Sequence, residues 1–162
     1  MIVAKLGGSV LRGAGDYERC AQLAAGLKAR VVVVSAMKGV TDSLLEAAKL
    51  RDARLLEGAL ERMREAAAEL GASREAERWI ERCRRAFEAY VERGSPQLLD
   101  EVLATGERVS SALLAKALER LGVGAVSLDG GEAGVVTDDW FGEARPLFDE
   151  CYARLRGRPR PS

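Results

Sequence analysis

Val31 to Val34 is an unbroken β-branched run, and it follows closely on a second short apolar run, Met1 to Leu6, that ends in Gly7-Gly8-Ser9. β-branched side chains crowd a helix and fit a pleated sheet. Four valines without polar alternation predict a strand buried on both faces, as in a parallel sheet. Between the two runs, Gly13 and Gly15 punctuate the chain and Asp16 is placed to cap a helix. Ala21, Leu23, Ala24 and Leu27 then follow roughly helical spacing. Strand, glycine turn, helix and buried strand make a βαβ unit, for which a right-handed crossover is expected. The start of the chain therefore reads as α/β.

From Thr41 to about Leu121 the pattern is helical almost throughout. Leu55, Leu56, Ala59, Leu60, Met63, Ala66, Ala67 and Leu70 form one apolar stripe, and Ile80, Cys83, Phe87, Tyr90 and Val91 form another with Trp79 beside it. Gly71 and Gly94-Ser95-Pro96 are stop signals. Leu98, Leu99, Val102 and Leu103 begin a third segment, interrupted at Thr105-Gly106, and Leu113, Leu114, Leu118 and Leu121 carry a further helix to Gly122. Strand character returns over Val123 to Leu128, with a short strand at Ala133 to Thr137 after the Asp129-Gly130-Gly131 turn. A last helix is expected from Ala144 to about Arg156, with Pro146 in its first turn. Residues 157–162 contain two prolines and are expected to fray. The chain reads as an α/β layer with a helical insertion of about 42–104 after its second strand.

The composition narrows the function classes. Twenty-five basic residues balance twenty-five acidic ones, so no net field draws the chain to nucleic acid or anionic lipid. No apolar run approaches the roughly 20 residues that span a bilayer. The amino terminus lacks the build of a secretory signal, which argues for the cytoplasm. There is no histidine, and Cys20, Cys83 and Cys151 lie far apart. Zinc sites, thiol redox motifs and Ser-His-Asp triads lose their necessary parts, and no metal-ligand set is expected. The cysteines read as small buried apolar residues.

Four segments are able to carry chemistry. In Lys5-Leu6-Gly7-Gly8-Ser9, glycines between strand and helix let the backbone N–H groups approach an anion; Lys5 adds a point charge and Ser9 a hydroxyl. That suits phosphoryl transfer, in which positioning and charge stabilisation do most of the catalysis. From these five residues alone, a plain turn with a solvated lysine is an equal reading. Ser35-Ala36-Met37-Lys38-Gly39-Val40-Thr41-Asp42 follows the valine strand, at the carboxyl end where ligands of open α/β sheets collect. Ser35 and Thr41 are able to donate to phosphate or carboxylate oxygens, although Thr41 taken alone is better explained as a helix cap. Glu107, in Thr105-Gly106-Glu107-Arg108-Val109-Ser110, is a candidate for a substrate ammonium. The competing and favoured reading of that residue alone is a solvated charge at a helix amino terminus. Asp138 and Asp139 read better as a turn with exposed carboxylates than as a Mg²⁺ site.

Together these blocks occur in the order found in aspartate kinases. Lys-Leu-Gly-Gly-Ser, then Val-Val-Val-Val-Ser-Ala-Met-Lys-Gly-Val-Thr-Asp, then Ala-Thr-Gly-Glu-Arg-Val-Ser-Ser resemble that family, as do Glu132 to Asp138 and Phe141 to Ala144. The opening block is also similar to other amino acid kinase superfamily members, acting on acetylglutamate, glutamate, uridylate or isopentenyl phosphate. The resemblance implies an incomplete parallel-sheet amino acid kinase-like (carbamate kinase-like) sandwich over residues 1–156. It implies Lys5 stabilising charge on the transferring phosphoryl group, with Gly7, Gly8 and Ser9 lining the phosphate site. Ser35 and Thr41 would border the reacting carboxylate, and Glu107 would hold the α-amino group of aspartate. The implied partners are L-aspartate and ATP with Mg²⁺, and the implied assembly is a homo-oligomer of a full-length form or a complementing chain.

The chain departs from the family pattern in three places. Leu6 stands where an aromatic residue is common, Ser9 replaces a Thr-Ser pair, and Lys38 stands where a small residue is usual. Nothing in the chain resembles the Arg-Gly-Gly-Ser-Asp block with which the family continues. The expectation is therefore of an amino-terminal part, inactive alone. The alternatives are a non-catalytic kinase-derived binding module or another kinase of the superfamily.

Overall fold

The computed structural model describes residues 1–156, so the end expected to fray lies outside the described residues. Strands β1 (Val3–Leu6) and β2 (Val31–Val34) pair in parallel, from Val3 opposite Val31 to Leu6 opposite Val34. Helix α1 (Ala14–Gly26) connects them. Four helices then separate β2 from α6 (Thr105–Arg120): α2 (Val40–Leu50), α3 (Ala53–Leu70), α4 (Ser73–Arg93) and α5 (Pro96–Leu103). Helix α7 (Phe148–Arg156) comes last. The α/β character and the parallel pairing are as expected, but the described sheet has two strands and helices on one side.

That one-sidedness corrects the valine reading. Leu6, Val32 and Val34 pack towards the helices, whereas Val3, Val31 and Val33 are 54%, 42% and 48% exposed. The strand period of two puts Lys5 on this open face, opposite Val33. Further large apolar side chains are exposed late in the chain, among them Trp140, Phe148, Tyr152 and Leu155. Contiguous exposed apolar surface drives association. Sedimentation of the isolated chain is expected to show concentration-dependent self-association, and a monomer at high concentration would count against this account of the open face.

Several element boundaries also move. Gly13, in extended backbone, takes the cap position of α1. Asp16 instead sits in the first turn and reaches back past the cap residue to accept from the Arg12 N–H at 2.8 Å. That backbone hydrogen bond, with the partner Arg19 behind it, holds the Asp16 carboxyl below its usual range. Leu23 and Leu27 face solvent, so the buried stripe of α1 is Ala14, Tyr17, Cys20, Ala21 and Ala24. Leu55 is likewise on the rim of the α3 stripe.

Val123 to Leu128 is not a strand, and Ala133 to Thr137 contributes only a single antiparallel bridge between Thr137 and Pro146. β propensity becomes a strand only with a ladder partner. Here Ser127 hydrogen-bonds to Ser111 of α6 at 2.9 Å instead, and Val126 is 82% exposed. The bridge keeps Pro146 out of helix, so α7 begins at Phe148 rather than Ala144. All three cysteines are free and buried, as expected. Burial pushes the Cys83 thiol up to about 11.

Helices α3 and α4 carry the middle of the core, with Leu60, Met63, Leu70 and Ile80 almost wholly buried. On the outer side, Arg84 makes two hydrogen bonds to Glu57, at 2.6 and 2.7 Å, and Arg64 two to Glu77, both at 3.0 Å. The guanidinium bonds hold the Glu57 and Glu77 carboxyls below the usual range. Protons therefore bind the unfolded chain first as pH falls. The clamp's contribution is complete at neutral pH and is lost on acidification through the carboxylate range. Glu57 is 46% exposed, so screening limits each pair to roughly 0.2–1 kcal/mol. Glu57→Gln is expected to lower stability by that amount at pH 7 and to match the parent near pH 3, as read by urea unfolding.

Candidate functional site

The loop after β1 is a single 3-10 turn, Gly8–Val10, entered from Gly7 in extended backbone. Val10 and Leu11 donate to the Gly7 and Gly8 carbonyls. The N–H groups that begin the turn, on Gly8 and Ser9, are those a helical turn leaves without an internal acceptor. Gly7 presents its bare face to the two charged or polar side chains of the block. A Cβ there would lie 3.6 Å from Lys5 Nζ and 3.9 Å from Ser9 Oγ. Ammonium, hydroxyl and backbone thus converge on one side of the loop, where an anion would meet all three. Arg12 closes the far side of the turn, with its Nε 3.4 Å from the Ser9 carbonyl.

The second block lies directly against the first. Ser35 continues the parallel pairing by donating to the Leu6 carbonyl at 3.0 Å, and Lys38 N–H donates to the Leu11 carbonyl at 2.8 Å. The loop is also held from the helical side, where Arg62 of α3 donates to the Lys38 carbonyl at 2.8 Å. Ala36 is the packing centre. A Cβ on Gly8 would come within 2.7 Å of the Ala36 oxygen, and one on Gly106 within 2.5 Å of the Ala36 Cβ. Both distances are below any real contact, so both glycines are needed for close approach rather than for a turn. Three stretches far apart in sequence, at Gly8, Ala36 and Gly106, therefore stack on one another.

Glu107 enters through that stack. Its Oε1 accepts from the Ala36 N–H at 3.3 Å. Helix α5 passes into α6 through Ala104, which keeps helical dihedrals (φ −65°, ψ −11°). Glu107 therefore does not occupy a free helix end, and the macrodipole explanation of its placement loses force. What orients the carboxylate is a backbone amide of the second block. One turn further along α6, Ser110 Oγ is 2.6 Å from Tyr17 OH, and both residues are buried. Burial raises the Tyr17 ionisation well above the ordinary tyrosine range, so the hydroxyl stays protonated.

The structure therefore gathers Lys5, Gly7, Gly8, Ser9, Ser35 and Glu107 around the carboxyl ends of the two strands. Thr41 stands apart from that stack, exposed in the first turn of α2. It is not the helix cap either, because Gly39, in the left-handed region (φ +79°), takes that position. Asp138 is a turn residue, accepting from the N–H groups of Trp140 at 3.3 Å and Arg145 at 3.0 Å. Sequence reasoning missed Ala36, Gly106 and the Tyr17–Ser110 pair. Gly106 and Ser110 lay inside a quoted block without a role. Tyr17 had a signal, being an aromatic residue on the apolar side of α1.

Comparison with known proteins places this geometry. A model of the Amino acid kinase family matches residues 1–156. The chain is 30% identical over 160 residues to the aspartokinase of Mycobacterium bovis, covering 96% of this chain and 28% of that protein. It is 29% identical over 154 residues to the aspartate kinase of Pseudomonas putida, covering 91% of this chain and 27% of that protein. Among solved structures, aspartokinase III of E. coli in complex with aspartate and ADP superposes with a TM-score of 0.85 at 25% identity. That match covers 96% of this chain and 37% of the solved one. The chain thus spans little more than a quarter of the length of these curated relatives, and the match falls in their amino-terminal part. With a family model matching almost its whole length, the chain belongs to the amino acid kinase family.

Proposed function

We propose that this chain supplies the phosphate-contacting and amino-acid-binding part of a kinase that phosphorylates the β-carboxylate of L-aspartate, giving 4-phospho-L-aspartate. That product opens the lysine, threonine and methionine branch of biosynthesis. The observation that carries the reading is the Gly8–Ala36–Gly106 stack, which sets Glu107 beside the Lys5 and Ser9 loop. The aspartate-bound E. coli relative and the aspartokinases similar along nearly the whole chain support aspartate as the acceptor.

In this reading Lys5 neutralises charge building on the transferring phosphoryl group, while the Gly7, Gly8 and Ser9 backbone and the Ser9 hydroxyl hold its oxygens. Ser35 borders the acceptor carboxylate and Glu107 takes the substrate's ammonium, while Thr41, exposed on α2 apart from the stack, is left without a role in the site. MgATP enters as co-substrate. The attacking carboxylate is already ionised at neutral pH and needs no general base. A histidine-free chain is chemically adequate for that step. The open face of the sheet, with Lys5 on it, is where the remainder of a sandwich would close the site.

Calorimetric titration of the chain with L-aspartate tests the acceptor half of the proposal. Weak, saturable binding is expected, and Glu107→Gln should weaken it by about 10-fold or more, the size of one charge-assisted hydrogen bond of ~1.5 kcal/mol or above. No heat at millimolar aspartate, or equal binding by the Glu107→Gln variant, would sink the role given to Glu107.

A further inference from the structure

We infer that the buried Tyr17–Ser110 hydroxyl pair is a positioning device for the Glu107 carboxylate, coupling helix α1 to the first turns of α6. The inference rests on Glu107 being the ammonium-binding group, and it adds two residues to which no role had been given.

Glu107 and Ser110 are three residues apart on α6, so their side chains lie on neighbouring positions of one helical face. Thr105 and Ser110 are the two buried polar residues among those described, each about 1% exposed. Thr105 bonds one turn back, to the Glu101 carbonyl of the contiguous α5 at 3.4 Å. Of the two, Ser110 reaches a segment distant in sequence, and its partner Tyr17 is fully buried on α1. The tie matters because α6 otherwise meets the second block through small groups. At Gly106 the contact is with Ala36 and Val40 and is apolar. The buried stripe of α6 (Val109, Leu113, Leu114 and Leu118) and the Arg120–Glu18 ion pair to α1 fix its overall orientation. The 2.6 Å hydroxyl–hydroxyl bond adds a directional tie to α1 within one turn of Glu107. Rotation of α6 by a fraction of a turn would swing Glu107 away from the Ala36 N–H, and that bond is already long at 3.3 Å. Tyr17 also sits on the helix that follows the phosphate loop. The pair therefore ties the acceptor-binding carboxylate to the helix that follows the Lys5 and Ser9 loop.

The test uses the 162-residue chain and two readouts. The first is the amide of Ala36 in a ¹H–¹⁵N spectrum, compared with and without the Glu107→Gln substitution. In the parent chain this amide is expected to shift on that substitution, because the carboxylate is its acceptor. In the Tyr17→Phe and Ser110→Ala backgrounds that shift should fall by half or more while the amide dispersion of the core is retained. The second readout is aspartate affinity, expected to weaken about 3–10-fold in either variant, the worth of one misplaced hydrogen bond. The double variant should cost little more than either single change, since the two hydroxyls act as a unit.

A fall in melting temperature with the Ala36 shift and the affinity unchanged would make the pair merely structural and overturn the inference. So would an Ala36 amide that Glu107→Gln leaves unmoved in the parent chain. Should Tyr17→Phe fail to fold, Ser110→Ala removes the same bond from the other side and is read identically. If the parent does not bind aspartate but both variants lose the Ala36 shift, the positioning role stands and the substrate reading falls.

Discussion

Lys5→Ala is expected to lower turnover by ~10²–10³-fold, the effect of removing one preorganised charge-stabilising donor from a transition state. The measurement requires a complete active site. It is made in an aspartokinase whose matching amino-terminal segment has been exchanged for residues 1–156. The physical basis is local. Lys5 projects from the open face of the sheet, its ammonium beside Gly7, in a loop whose backbone leaves the Gly8 and Ser9 N–H groups available. An ammonium in that place gains most when negative charge on the phosphoryl oxygens is redistributed in the transition state. The loss should therefore fall mainly on kcat, with KM for aspartate little changed. Lys5→Arg should recover only part, because a planar fork does not reproduce a compact point charge at the same spot. Equal turnover by the exchanged enzyme with and without the Lys5→Ala substitution would remove the lysine from the mechanism.

Gly106→Ala is expected to do the second-largest damage, and to do it through geometry alone. The added methyl would stand 2.5 Å from the Ala36 Cβ, 3.3 Å from Val40 Cγ1 and 3.6 Å from the Ala36 Cα. None of these is the free end of a long side chain, so helix α6 itself must move. Overpacking of this kind costs about 1–3 kcal/mol. The same movement separates Glu107 from the Ala36 N–H, so aspartate binding should be lost in a chain that remains folded. Gly8→Ala presses on the Ala36 carbonyl from the other side and should act in the same direction. The contrast is Gly58→Ala on α3, where a Cβ meets nothing within 4 Å. It should be neutral or stabilising, since alanine is the better helix former. Thermal melts paired with aspartate titrations separate these outcomes, and a Gly106→Ala chain with unchanged affinity would refute the stack as the site's organiser.

Much of the fold was legible because it rests on local patterns. The periodic stripes of α3 and α4 predicted Leu56, Leu60, Met63, Leu70, Ile80, Cys83 and Phe87 as buried, and they are. The βαβ start was legible because strand propensity and a glycine loop reinforce one another. The second faces of Val31 and Val33 were not. A run of valines states that a strand tolerates burial on both sides, while occupancy of each side depends on what else packs there. Val123 to Leu128 went astray for a related reason. Its β propensity is real, but a ladder needs a partner, and Ser127 was captured by Ser111 on α6. Pro146 was expected in the first turn of a helix starting at Ala144, and the structure leaves it outside the helix. It sits before α7 because the Thr137 bridge holds it there.

For the site, the sequence by itself supplied candidates. A lysine and two glycines after the first strand, a polar block after the second, and a glutamate beyond a helical stretch are the groups proposed for phosphate, carboxylate and ammonium. Their order marks the family. Only the tertiary structure decided which of them meet. Glu107 lies 71 residues from Ala36 along the chain, and no local rule brings the two together. Gly106 looked like a helix break and proved to be a point of backbone contact, because the missing side chain matters only once Ala36 stands opposite. Tyr17 and Ser110, 93 residues apart, carried no reading of their own until packing made them a pair. Residue types and spacing encode what a site is able to do. Which residues stand within bonding distance is settled by close packing of distant segments, where a single methyl group is enough to keep them apart.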